Sequence, residues 1–149
     1  TVAGSGPEQA RLCELVAELG LTECVTFTGR IDNADIPALY ASADCMLNPS
    51  TVDNMPISIL ESLASGVPVV STRAGGIPDM VEHEVSALLV PIGDPDAMGS
   101  QAIRVLADPA YAERLRESGA EQAARYAWPT VRTQWFAVYR RVASAGERA

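Results

Sequence analysis

Among its 149 residues the sequence has no lysine. That absence excludes a P-loop lysine, a Schiff-base lysine and a lysine general base together. Histidine is nearly as scarce. His83 stands alone, with no cysteine or second histidine at ligand spacing, and reads as an ordinary surface residue. The three cysteines, Cys13, Cys24 and Cys45, are odd in number and far apart, which argues against a disulfide framework or a zinc site. Buried free thiols in a reducing compartment are the expectation. There is no Gly-x-Ser-x-Gly elbow for a hydrolase nucleophile, and no cluster of metal-ligating residues. No apolar run approaches the roughly 20 residues that a membrane-spanning helix needs.

Positive charge is short in one region only. Residues 1–96 hold 14 acids against three arginines (Arg11, Arg30 and Arg73), a balance of −11, while residues 97–149 hold five acids and eight arginines, a balance of +3. So acidic a body argues against nucleic acid as a partner, because duplex binding rests on neutralising phosphates. The C-terminal arginines alternate with acids at helical spacing, as on a solvated face; a weak contact with an anionic membrane stays open.

What the chain does have is an alternation of short apolar runs and helical patterns, with hydrophobic residues at 48%. Strands are expected at Thr1–Ala3, Cys24–Phe27, Asp44–Leu47, Val67–Ser71 and Ala87–Val90. Helices are expected from Pro7 to Leu19 with Gly20 as the stop, from about Asp35 to Ser42, and from Pro56 to Gly66. Three more should cover 96–107, 109–126 and roughly 129–144, with a break at Trp128-Pro129. This is an α/β pattern, a Rossmann-like parallel sheet covered by helices on both faces. Ligands in such sheets bind beyond the carboxyl ends of the strands. The loops there are Gly4–Pro7, Gly29–Asn33, Asn48–Pro56 and Thr72–Pro78, and Arg30 and Arg73 lie on them.

The most informative of these segments is Asp53-Asn54-Met55-Pro56-Ile57-Ser58-Ile59-Leu60-Glu61. A strand entering a turn that opens a helix leaves backbone N–H groups pointing one way, and with the helix dipole they suit a phosphate. Eight residues along a helix span about 12 Å, so two carboxylates so placed can hold hydroxyls at both ends of a sugar nucleotide. Spacing alone also permits the plainer reading, with Asp53 as a turn residue and Glu61 on a solvated helix face. Gly4-Ser5-Gly6 is an incomplete dinucleotide fingerprint, because Gln9 stands where a third glycine belongs.

From Thr1 to about Leu106 the chain resembles the C-terminal, donor-binding domain of the group 1 family of retaining glycosyltransferases, which have the GT-B fold. The resemblance rests on Gly4-Ser5-Gly6-Pro7, Val25-Thr26-Phe27-Thr28-Gly29, Leu39-Tyr40-x-x-Ala43-Asp44 and Asn48-Pro49-Ser50. It continues through Asp53-x7-Glu61, Ala64-Ser65-Gly66-Val67-Pro68-Val69-Val70 and Gly75-Gly76-Ile77-Pro78-Asp79. It implies that Glu61 binds the ribose hydroxyls of a nucleotide diphosphate sugar and that Asp53, where the family usually has glutamate, is the catalytic residue facing the sugar. Backbone groups around Asn54, Met55, Pro56, Ile57 and Ser58 would hold sugar and diphosphate. The Gly29-Arg30-Ile31 loop would flank the base, and Gly4 and Gly6 would border the donor.

The resemblance further implies no metal and no cofactor beyond the donor substrate, and a cytoplasmic location, at most peripheral at the inner face of the membrane. His83-Glu84-Val85-Ser86-Ala87 departs from the family by replacing a glycine-bearing turn. Residues 1–149 are expected to form one donor-binding domain with C-terminal helices over 107–149. That domain reads as a piece of a longer protein, without its first strand–helix unit, the diphosphate-binding Arg and Lys, and the N-terminal domain that binds the acceptor. Such a piece should not turn over by itself. Two other readings stay open: a sugar-nucleotide epimerase of the same fold, and a non-catalytic nucleotide-binding module.

Overall fold

The computed structural model describes residues 1–146, which divide into two units, Thr1–Leu39 and the residues from Tyr40 onward. In the first unit β1 (Val2–Ala3) and β2 (Phe27–Gly29) pair in parallel, with Val2 opposite Phe27. Between them α1 (Gln9–Glu18) starts two residues after Pro7. It ends in a Schellman stop: Gly20 takes φ 69°, its N–H donates to the Ala17 carbonyl at 3.0 Å, and the Leu21 N–H donates to the Val16 carbonyl at 2.9 Å. The strand expected over Cys24–Phe27 begins only at Phe27. The N–H groups of Cys24 and Val25 both donate to the Leu21 carbonyl, at 2.9 and 3.0 Å, so the chain is still turning there.

α2 (Ile36–Ala41) spans the division between the units. The second unit is built on a parallel sheet of β3 (Met46–Asn48), β4 (Val69–Thr72) and β5 (Leu88–Val90) in that order. Met46 lies opposite Val69, and Val70 opposite Leu88. The crossovers carry α3 (Ile57–Ala64) and α4 (Ile77–Met80). Because strand side chains alternate, the two faces collect two cores. Val69 and Leu89 pack with Ile59, Leu63, Ile77 and Met80, while Val70, Leu88 and Val90 pack with Met98, Val105 and Leu115.

The second core draws on α5 (Pro95–Ala107) and α6 (Pro109–Ala124), each preceded by an aspartate. Asp94 accepts the Ala97 N–H and Asp108 the Tyr111 N–H, each at 2.9 Å, with proline in the first turn where no N–H is needed. α6 also lies close to α3, where a Cβ on Gly119 would come within 2.8 Å of Leu63. α7 (Trp128–Gly146) follows, carrying exposed Trp135, Phe136 and Tyr139. Among the described residues no helix is long and apolar enough to cross a membrane, and no three His, Cys, Asp or Glu side chains cluster as metal ligands.

The turn before β5 is strained at Glu84. Glu84 holds φ 63°, a left-handed conformation that disfavours a side chain by about 1–2 kcal/mol. Its carboxylate meets Arg104 at 2.6 Å, and that guanidinium holds it below the usual carboxylate range.

His83 is not an ordinary surface residue. It is half-buried, and its Nδ1 accepts the Leu89 N–H at 2.9 Å, supplying a β5 backbone donor with the partner it must have when out of water.

The cysteines also differ from expectation. Cys13 and Cys24 are exposed and Cys45 is half-buried. Cys13 lies on α1, which buries none of its residues in this chain. Burial, and then the charge of Asp44, pushes the Cys45 thiol up to about 11. Because the thiolate is the reactive form, iodoacetamide at neutral pH should label Cys13 and Cys24 at least about 10-fold faster than Cys45. Mass spectrometry of a labelling time course reads this directly; equal rates at the three positions would contradict it.

Candidate functional site

The end of β3 is fixed by a buried polar network. Asn48, only 7% exposed, donates from Nδ2 to Ser71 Oγ on β4 at 3.1 Å and accepts from Ser50 Oγ at 2.8 Å. The Thr72 hydroxyl donates to the Ser50 carbonyl. Buried polar groups satisfied on both sides hold a loop in one geometry, because leaving any of them unpaired costs about 1–3 kcal/mol. Asn48-Pro49-Ser50 therefore anchors the start of the loop that leads to Asp53.

The far end of the loop is pressed against the turn after β4. The Gly76 N–H donates to the Asp53 carbonyl at 3.2 Å. A Cβ on Gly75, which has φ 48°, would overlap the Asp53 carbonyl oxygen, and one on Gly76 would meet the Asn54 backbone and side chain. No side chain fits between these two backbones. The Asp53 carboxylate, on a half-buried residue, has no hydrogen-bond or ion-pair partner among the described residues.

From this turn the chain enters α3. Pro56 is its N-cap, with φ −65° and ψ 116°, and no side chain caps the helix. The Ile59 N–H bonds back to the Pro56 carbonyl at 3.2 Å, which leaves the first-turn N–H groups of Ile57 and Ser58 for a ligand. Met55 and Ile57 are exposed beside it, and Glu61 stands exposed further along the helix. Tyr40, buried at 8% exposure, donates to the Ser58 carbonyl at 3.0 Å and lies 3.4 Å from Glu61 Oε2.

The expected site residues thus fall in two groups. Asp53, Asn54, Met55, Pro56, Ile57, Ser58 and Glu61 form one continuous turn and helix in the second unit. Gly4, Gly6, Gly29, Arg30 and Ile31 belong to the first. There the Gly4 N–H donates to the Gly29 carbonyl at 2.8 Å; both glycines have positive φ, and Arg30 is exposed. Arg73, on the Thr72–Pro78 loop, is exposed. It lines a cavity of about 340 Å³ with Asp79, Glu82, His83, Gln122 and Arg125. The residues that pattern reading left without a role are Tyr40, Asn48, Gly75 and Gly76. All four stand in the quoted motifs, but only contacts across the fold say what they do.

The family model described as "Glycosyl transferases group 1" matches residues 1–122. N-acetyl-alpha-D-glucosaminyl L-malate synthase of Bacillus anthracis is 37% identical over 125 residues, 81% of this chain and 32% of that protein. D-inositol 3-phosphate glycosyltransferase of Saccharomonospora viridis is 34% identical over 144 residues, 96% of this chain and 33% of that protein. Sucrose-phosphate synthase from Thermosynechococcus elongatus superposes with a TM-score of 0.84 at 33% identity, over 95% of this chain and 37% of that one. Anabaena HepE, in complex with UDP-glucose, does so with a TM-score of 0.77 at 26% identity, over 83% of this chain and 35% of that one. The chain spans about a third of the length of the curated relatives it matches. Its Rossmann-like fold is that of the C-terminal half of GT-B enzymes. The family match covers residues 1–122, most of the chain, and the chain belongs to the group 1 glycosyltransferases.

Proposed function

We propose that this chain is the donor-binding domain of a metal-independent retaining glycosyltransferase, which moves a sugar from a nucleotide diphosphate sugar to an acceptor held mainly by another domain. One observation carries the reading: the glycine-backed Asp53–Asn54 turn opens directly into an uncapped helix that bears an exposed Glu61. The amides of Ile57 and Ser58, with the α3 dipole behind them, are donors aimed at a diphosphate. Glu61 accepts from the ribose hydroxyls. Asp53, without a partner among the described residues, faces the sugar and stabilises the positive character that develops as the bond to phosphate breaks.

Binding of UDP-glucose by HepE supports a nucleotide sugar as donor. Retention and metal independence follow the family resemblance. The unpaired cysteines are in keeping with a reducing, cytoplasmic setting, with any membrane contact peripheral. Among the described residues nothing favours an epimerase, since the lone histidine spends its Nδ1 on a backbone N–H.

Glu61→Ala in the full-length protein is expected to weaken nucleoside diphosphate binding by about 1.5–3 kcal/mol, the range for hydrogen bonds to a charged group. Calorimetric titration measures it, and unchanged affinity would return Glu61 to the solvated face of α3.

A further inference from the structure

Glu61 is an exposed side chain with three rotatable bonds, a poor starting point for recognising two hydroxyl groups at fixed positions. Ordering such a side chain costs rotamer entropy unless something else orders it first. Among the described residues the only side chain that hydrogen-bonds to its carboxylate is Tyr40, whose hydroxyl lies 3.4 Å from Oε2. The same hydroxyl is 3.0 Å from the Ser58 carbonyl, in the first turn of α3. One phenolic proton therefore serves both the helix turn whose amides point at the diphosphate and the carboxylate further along. The contact leaves Oε1 open.

The ring is buried, so the hydroxyl has little freedom of its own. Burial, and then the Glu61 charge, pushes its pKa up to about 12, and the proton stays available at any pH where a transferase works.

Resting on the donor reading above, we propose that Tyr40 is a positioning residue that presets the Glu61 carboxylate for a vicinal hydroxyl pair. Preference for ribose over deoxyribose then depends on a buried phenol that does not touch the nucleotide.

The test titrates full-length protein with three probes: whichever of UDP, GDP and ADP binds most tightly, the 2′-deoxy form of the same nucleotide, and inorganic diphosphate. Tyr40→Phe keeps the ring and removes only the proton. It should cut the preference for the ribonucleotide by about 3- to 10-fold, the worth of one ordinary hydrogen bond, because a contact of 3.4 Å is too long to carry the full strength of a charged one. Affinity for inorganic diphosphate should change by less than about 2-fold, since the α3 amides remain. In a Glu61→Gln background, Tyr40→Phe should add little, because neighbours acting through one contact are not additive.

Equal weakening toward all three probes would mean that Tyr40 merely supports the fold, and would overturn the proposal. So would an intact ribose preference in Tyr40→Phe alongside a lost one in Glu61→Gln. An intact preference in both variants would remove the nucleotide role of Glu61, and this proposal with it. Unmodified protein gives a second readout that does not depend on a variant folding. The ¹³Cζ resonance of Tyr40 should shift when the ribonucleotide binds and stay still with inorganic diphosphate; no shift with either would also overturn the proposal.

Discussion

Replacing Asp53 with asparagine in the full-length protein is expected to lower kcat by about 10- to 1000-fold, the scale for losing one preorganised electrostatic contact. Nucleoside diphosphate affinity should stay within about 2-fold, because interactions that strengthen only in the transition state appear in kcat. The substitution keeps the shape and removes the charge. Its target carboxylate is engaged by nothing else in the described chain, and its backbone is held by the Gly76 N–H, so the variant should not disturb the turn. Steady-state kinetics with a nucleotide sugar, paired with calorimetry, separate the two quantities. Lost nucleotide binding with kcat preserved at saturation would exchange the roles assigned to Asp53 and Glu61.

Gly75→Ala should be as damaging without touching a ligand. Its Cβ would overlap the Asp53 carbonyl oxygen, and its φ of 48° disfavours any side chain. Relief requires the two loops to part, which costs about 2–4 kcal/mol of stability, combining backbone strain with overpacking. Parting the loops also shifts Asp53, and displacing a positioned catalytic group by about 1 Å can cost on the order of 100-fold in rate. Gly66→Ala is the matched control. Gly66 has φ 70° but open space around the position of a Cβ, so about 1–2 kcal/mol of strain is expected with near-normal kcat. Chemical denaturation and kcat/KM on both variants give the comparison. Equal kcat/KM for the two would show that the close approach of the turns does not place Asp53.

The sequence by itself determined most of what depends on neighbours along the chain. The Asp-Pro pairs at 94 and 108 capped their helices as such pairs do, and Gly20 stopped α1. The run from Asp53 to Glu61 was legible as turn and helix because its signals, a proline at the start and Gly66 past the end, act within a few residues.

Tertiary structure alone decided what depends on distant parts of the chain. Nothing near Tyr40 in the sequence announces a bond to the Ser58 carbonyl eighteen residues on, and nothing near Gly75 announces the Asp53 carbonyl. The spacing around His83 gave no sign that Leu89 would need an acceptor. The thiols at 13 and 24 were expected inside because free cysteine is usually buried, yet α1 buries none of its residues in this chain. The division has one physical cause. Caps and stops are hydrogen bonds that the chain closes on itself within about one helical turn, while a contact between two loops exists only once the parallel strands beneath them have come into register.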